Sequence, residues 1–165
     1  MILKIIVILL VLVLIGVVVR VFDRDKNYDK ISFKETMDLL NVPIISFTCK
    51  GKKLHFLLDT GSSYSHISPE TLELLKIKPN DIEDVKTVGA GTTFQNNKHC
   101  ELVMFYKQEP YNASFIVTSQ LSKQIEIIKR DFNIDMHGIL GGDFLDNYNY
   151  VIDFKEFIAY SKGTK

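Results

Sequence analysis

The chain opens with a long apolar run and only later changes to short alternating segments. From Ile5 to Val19 no side chain is polar, and Lys4 and Arg20 flank the run. A helix over residues 1–22 is about 33 Å long, enough to cross a bilayer if both flanking bases extend to the interfaces. The run ends in Val-Val-Val-Arg, without the small residues of a signal cleavage site, which favours an uncleaved anchor. Residues 1–22 are therefore predicted to be a transmembrane anchor.

Residues 23–41 are predicted to form a juxtamembrane linker followed by a short helix. The linker carries mixed charges, and the helix is expected from Phe33 to Leu40, with Ser32 and Glu35 as a capping box. The basic residues after the anchor favour a cytoplasmic C-terminal side, whereas an apolar segment at the extreme N-terminus often exports the rest of its chain. The pattern predicts a single-pass membrane protein and leaves the side of its folded domain open.

From residue 42 onward the pattern is that of a mainly β domain. A hairpin is expected over residues 42–58, where Gly51 permits a tight reversal. Short apolar or alternating segments predict further strands at 85–88, 99–106, 113–119, 138–140, 150–154 and 157–160. Many short strands without a repeat indicate a small closed barrel. Residues 42–165 are therefore predicted to form one domain.

Two helices, one short and one longer, interrupt the predicted strands. Ser68 is placed as the N-cap and Pro69 as the first residue of a helix ending near Leu75. A longer helix is expected between Leu121 and Phe132. Residues 81–84, which are mostly acidic, are expected to be a loop.

Composition and charge exclude several classes of function. The formal net charge is zero and no basic stripe is present, so nucleic acid is not expected as a partner. Cys49 and Cys100 lack the spacing of a metal or redox pair and are expected to be buried thiols. The four histidines are scattered, and His137 has no serine or cysteine partner at a known spacing. No metal and no cofactor is predicted.

The strongest chemical signal is an aspartate at the end of an apolar strand. In the segment HFLLDTGSSYSHIS, Asp59-Thr60-Gly61 follows directly on the strand and leads into a polar turn. A carboxylate at the end of a buried strand is unfavourable unless it is paired or functional. A glycine two residues later allows close backbone approach. Asp59 is therefore the candidate catalytic residue.

A second segment completes the pattern. In MHGILGGDFLDNYNYVIDF, the apolar pair Ile139-Leu140 meets Gly141-Gly142 and then a short helical stretch beginning at Asp143. Together the two segments resemble the aspartic peptidases, and in particular the single-domain, retropepsin-like members. The resemblance covers roughly residues 42–160. It implies a mainly β, closed-barrel acid-protease fold with short helices, here preceded by one N-terminal transmembrane helix.

The resemblance implies an aspartic endopeptidase that works as a homodimer. Only one Asp-Thr-Gly is present in the chain, so each subunit would supply one Asp59 carboxylate to a shared water molecule. Peptide or protein is the implied substrate, and residues 2–21 would contact the lipid membrane. A catalytically silent, membrane-tethered peptide-binding module is the alternative.

The resemblance also assigns roles around Asp59. Thr60, Gly61 and Ser62 would support the active-site loop, and a hydrogen bond from the Ser62 hydroxyl to the carboxylate would favour an acidic optimum. The flap that closes over substrate would have its tip at Gly89, Ala90 and Gly91. The floor of the cleft would contain Ile139, Leu140 and Gly141. In retroviral enzymes a charged residue after the glycine of the second segment stabilises the dimer. This chain has Gly142 and Asp143 there, so its dimer would have to be stabilised differently.

Overall fold

The computed structural model describes residues 30–89 and 92–161, with only the backbone of 82–97 described. The predicted anchor over 1–22, the linker residues 23–29 and the flap residues Ala90 and Gly91 lie outside these ranges. Within them, no helix is both long and apolar enough to cross a membrane.

Ten strands and four α-helices make up the described part of the chain. The strands are β1 Lys30–Ser32, β2 Ile44–Cys49, β3 Lys52–Leu58, β4 His66–Ile67, β5 Asn80–Gly89, β6 Thr92–Tyr106, β7 Glu109–Val117, β8 Met136–Leu140, β9 Tyr150–Asp153 and β10 Ile158–Ser161. The helices are α1 Lys34–Leu40, α2 Pro69–Leu75, α3 Ser122–Phe132 and α4 Gly142–Asn147, with a 3-10 turn at Ser119–Leu121 before α3.

The larger sheet closes into a barrel. Its strand order is β2-β3-β8-β4-β7-β6-β5. An additional pairing of Thr48 on β2 with Phe105 on β6 joins six of these strands into a ring. The prediction of a mainly β, closed-barrel domain is confirmed.

A second sheet, of order β1-β10-β9, packs against the barrel and extends its core. Ile31 on β1 and Phe33 just after it are almost fully buried in the same hydrophobic cluster as Phe47, Phe56 and Leu140. Burial of apolar side chains of this size contributes about 1.5–3 kcal/mol each. The described fold therefore includes β1, which lies inside the stretch expected to be linker and was not predicted.

Local sequence signals explain most of the element boundaries. The β2–β3 turn holds Lys50 at φ 47° and Gly51 at φ 73°, the left-handed pair that a two-residue hairpin requires. Ser68 caps α2, its side chain accepting a hydrogen bond from the Thr71 amide. α1 was predicted correctly, but its N-cap is Phe33 and no side chain caps it. Ser32 instead ends β1 and accepts a hydrogen bond from the Lys34 amide, so the capping box is wrong.

One predicted loop is also wrong. Residues 81–84 lie within β5, whose pairing with β6 shifts register between Asp81 and Val85. A bulge of this kind keeps the chain in a strand while its extra residues remain unpaired. The helix predicted between Leu121 and Phe132 is confirmed as α3.

Candidate active site

Asp59 lies on a loop that leaves β3 while still bonded to β8. Its amide donates a 3.0 Å hydrogen bond to the Leu140 carbonyl, and the Ser62 amide donates to the Asp59 carbonyl at 3.2 Å. The carboxylate is half-buried, and its Oδ1 accepts a 2.9 Å hydrogen bond from the Gly61 amide. The loop thus fixes the carboxylate at the barrel rim. The exposed side of the loop carries Thr60 and Gly61.

The segment after β8 braces this loop from below. The Gly142 amide donates to the Ser62 carbonyl at 2.8 Å, and the Asp143 amide donates to the Ser63 carbonyl at 3.2 Å. At Gly141 a Cβ atom would lie 2.5 Å from the Tyr64 carbonyl oxygen and 2.8 Å from that of Ser62. The two backbones therefore touch at a distance that only glycine permits.

A buried serine links the two segments through side-chain hydrogen bonds. The Ser65 hydroxyl is fully buried, donates to Asp143 Oδ1 at 2.7 Å and accepts from the Gly141 amide at 3.0 Å. Asp143 Oδ1 also accepts from the Phe144 amide at 2.8 Å. A charge-assisted network of this kind is strong because it is buried and satisfied. Sequence reasoning missed Ser65, since nothing local distinguishes it from Ser62 or Ser63.

The expected role of Ser62 is wrong in one respect. Ser62 is buried and supports the loop, but its hydroxyl donates to the Tyr64 carbonyl at 2.7 Å. A hydroxyl has one proton to donate, so it does not also donate to the Asp59 carboxylate. The prediction of an acidic pH optimum, which depended on a hydrogen bond from Ser62 to Asp59, therefore loses its support.

The predicted floor residues point in different directions. Side chains alternate across a strand, so Leu140, which is fully buried in the hydrophobic core, faces the barrel interior and not the cleft; its assignment to the floor is corrected. Ile139 is half-buried on the opposite face. Gly141 lies buried beneath the Asp59 loop.

The flap prediction falls on a hairpin in the structure. β5 and β6 pair in an antiparallel ladder whose last pair is Gly89 with Thr92, which leaves Ala90 and Gly91 as the connecting residues. Gly89 is thus the end of β5, and the backbone of this long hairpin extends beyond the closed ring.

The described residues contain neither a metal-binding cluster nor a reactive thiol. No group of three or more His, Cys, Asp or Glu side chains among them is arranged to hold a metal ion. Cys49 and Cys100 are buried and free, as predicted. Burial, with a smaller contribution from Cys49, raises the pKa of the Cys100 thiol to about 11, which makes it a poor nucleophile.

The closed barrel and the braced Asp-Thr-Gly loop are the two features that the resemblance to aspartic peptidases predicts. A family model described as "Aspartyl protease" matches residues 45–144, which is more than half of the chain. The chain belongs to the aspartyl protease family. No curated protein gives a significant match.

Solved structures of similar fold come from a virus, a protozoan and a bacterium. EIAV protease complexed with the inhibitor HBY-793 is 19% identical over 68% of this chain and 92% of that one, with a TM-score of 0.47. The retroviral protease-like domain of Ddi1 from Leishmania major is 15% identical over 71% and 88%, with a TM-score of 0.45. A retropepsin-like aspartic protease from Rickettsia conorii is 16% identical over 79% and 86%, with a TM-score of 0.47.

Proposed function

We propose that this protein is an aspartic endopeptidase in which two Asp59 carboxylates, one from each subunit of a homodimer, activate the water that hydrolyses a peptide bond. The observation that carries the proposal is the placement of Asp59. Asp59 directly follows the last residue of β3, and its carboxylate accepts a hydrogen bond from the Gly61 amide. The loop that carries it is held by contacts with Gly141 and Gly142. Rigid backbone support of this kind holds a catalytic group in its productive geometry.

The proposed reaction needs two carboxylates in one active site, because a single carboxylate cannot act as base and acid at the same time. Two carboxylates brought close together share a proton, so one accepts a proton from water while the other donates to the scissile carbonyl oxygen. The chain contains a single Asp-Thr-Gly, and a two-fold axis next to Asp59 would supply the second. Thr60 is exposed beside it and is proposed to contact its counterpart across that axis.

The substrate is proposed to be an extended peptide between the β5–β6 hairpin and the face of the sheet that carries Ile139. The hairpin tip at Gly89, Ala90 and Gly91 would close over it. Strand-like binding uses main-chain hydrogen bonds for affinity and alternate side chains for specificity. A silent peptide-binding module would use the same cleft without cleavage.

Subunit mixing tests the shared site. The full-length wild-type chain is co-expressed with about a threefold excess of Asp59→Asn, and cleavage of a peptide mixture is followed by mass spectrometry. If chains pair at random, about one quarter of the wild-type chains have a wild-type partner, and the others form dimers with only one Asp59. Activity per wild-type chain should therefore fall to about a quarter. An equal excess of an unrelated single-pass membrane protein is the control. Activity that stays constant per wild-type chain would contradict the homodimeric site.

We also propose that residues 2–21 anchor the enzyme in a lipid bilayer. The apolar run and its flanking Lys4 and Arg20 support this. Confinement of two copies to one membrane raises their effective concentration and favours a weak dimer. After alkaline washing of membranes the full chain should remain in the pellet, and a chain starting at residue 23 should move to the supernatant. Release of the full chain by the same wash would argue against an anchor.

A further inference from the structure

A row of aligned residues crosses the barrel sheet next to the Asp59 loop. Strand pairing places these partners side by side on β3, β8, β4, β7 and β6: Leu57, Ile139, His66, Ile116 and His99. Residues opposite one another on neighbouring strands share a face. The next residues along three of these strands belong to the hydrophobic core, namely Leu58, Leu140 and Ile67. The row therefore faces away from the core, on the side where Asp59, two residues after Leu57, also projects.

Two histidines in this otherwise apolar row have a ring nitrogen, Nδ1, without a hydrogen-bond partner in the described part of the structure. His66 is only 9% exposed, and its Nδ1 atom is buried with no hydrogen-bond partner in the described part of the structure. The same holds for Nδ1 of His99. An unsatisfied buried polar group destabilises a fold by about 1–3 kcal/mol, and most such groups are paired. A ring nitrogen left unpaired beside the Asp59 loop is therefore an atom that a ligand would pair.

The surroundings of His66 define which ligand chemistry fits. Burial lowers the pKa of His66, while the carboxylates of Asp143 and Asp59 act in the opposite direction and more weakly. The ring is therefore neutral near neutral pH, with one nitrogen donating and the other accepting. The same two carboxylates repel an anionic side chain. A neutral group that can donate and accept hydrogen bonds matches this environment better than a carboxylate or an alkyl chain.

We propose that His66 is a specificity-determining residue that hydrogen-bonds a carboxamide or hydroxyl side chain of the peptide bound beside Asp59. The proposal rests on the proposed endopeptidase function and deepens it by naming a substrate preference. The partner side chain would lie close to the scissile bond, because His66 is separated from β3, which leads into Asp59, only by β8. A site built to hydrogen-bond a substrate discriminates against analogues that lack the group, since its own polar atoms are then left unpaired.

The test compares peptides that differ only by asparagine or leucine, two side chains of similar size, at each position around the cleaved bond. At one position the full-length wild type should cleave the asparagine peptide about tenfold faster or more in kcat/KM. His66→Val should lose or reverse this preference while still cleaving leucine peptides. His66→Gln, which keeps a donor and an acceptor, should retain part of it, and it also serves if the valine variant folds poorly.

His55→Val is the matched control. His55 lies near the other end of β3 with its Nδ1 bonded to the Ser46 hydroxyl at 2.8 Å, so its replacement should leave the preference unchanged. An asparagine-to-leucine ratio that is the same in His66→Val and in the wild type would overturn the proposal.

Binding separates this proposal from the endopeptidase function. If the wild type cleaves no peptide, the proposed activity fails, and the affinities of the same peptide pairs are then measured by fluorescence anisotropy. Tighter binding of asparagine peptides that is lost in His66→Val would support the role of His66 without catalysis. Equal affinities within each pair, or no peptide binding at all, would overturn it.

Discussion

Replacement of Asp59 by asparagine should lower kcat/KM for peptide cleavage by at least about 10³-fold while the fold is retained. Asparagine has the same shape and keeps an oxygen that can accept the hydrogen bond now donated by the Gly61 amide at 2.9 Å. It cannot take a proton from water or share one with a second carboxylate. Loss of a positioned general base alone lowers rates by about 10²–10⁴-fold.

The measurement is peptide cleavage across about pH 3 to pH 8, beside thermal unfolding of the same samples. Asp153→Asn is the matched control: Asp153 Oδ1 accepts hydrogen bonds from the Lys155 and Glu156 amides in the β9–β10 turn. Asparagine forms such turns equally well, so this variant should keep its activity. Full cleavage by Asp59→Asn would place the chemistry elsewhere. A cellular effect that survives the same change would favour the silent binding module.

The Asp59 loop and the glycine segment that contacts it were predictable because their signals are local in sequence. An apolar strand that runs into Asp59-Thr60-Gly61 needs no knowledge of distant residues, and the same is true of the apolar pair before Gly141. Strand alternation and turn glycines likewise predicted the β2–β3 hairpin, most other strands and the barrel itself. These elements depend on patterns that span fewer than about ten residues.

The features that could not be predicted depend on contacts between distant segments. β4 is two residues long within a polar stretch, and it exists because it pairs with both β7 and β8. Whether the hydroxyl of Ser62 or that of Ser65 bonds to the second segment depends on the path of Gly141 past the two side chains, which the sequence does not record. Leu140 was assigned to the cleft because it neighbours Ile139, although alternation sends the two side chains to opposite faces.

Gly141 and Gly142, at the start of α4, differ in how closely they pack against the Asp59 loop. Gly141 has φ −94°, a value open to any residue, so its requirement for glycine comes from packing and not from backbone conformation. The Tyr64 and Ser62 carbonyl oxygens fill the space that a side chain would need. Gly142, one residue later, has its nearest neighbour, the Ser62 carbonyl oxygen, at 3.5 Å from a built Cβ, which is an ordinary contact.

Gly141→Ala should therefore lower the free energy of unfolding by about 3 kcal/mol, with a fall in Tm on the order of 10 °C. The atoms that block the new methyl group belong to the backbone between Ser62 and Tyr64, so the Asp59 loop must move to admit it. A displacement of about 1 Å at a catalytic group can lower a rate about 10²-fold. Cleavage should therefore fall more than the loss of folded protein explains.

Gly142→Ala is the matched control, because it adds the same methyl group one residue away at an ordinary contact distance. It should stay within about 1 kcal/mol of the wild type, since alanine favours the first turn of α4 more than glycine does. Urea unfolding and kcat/KM of both variants, measured side by side, check the pair. Equal behaviour of the two would mean that the close passage of Gly141 under Tyr64 does not hold the loop. A loss confined to Gly141→Ala would tie the position of the Asp59 carboxylate to a backbone contact about eighty residues away in sequence.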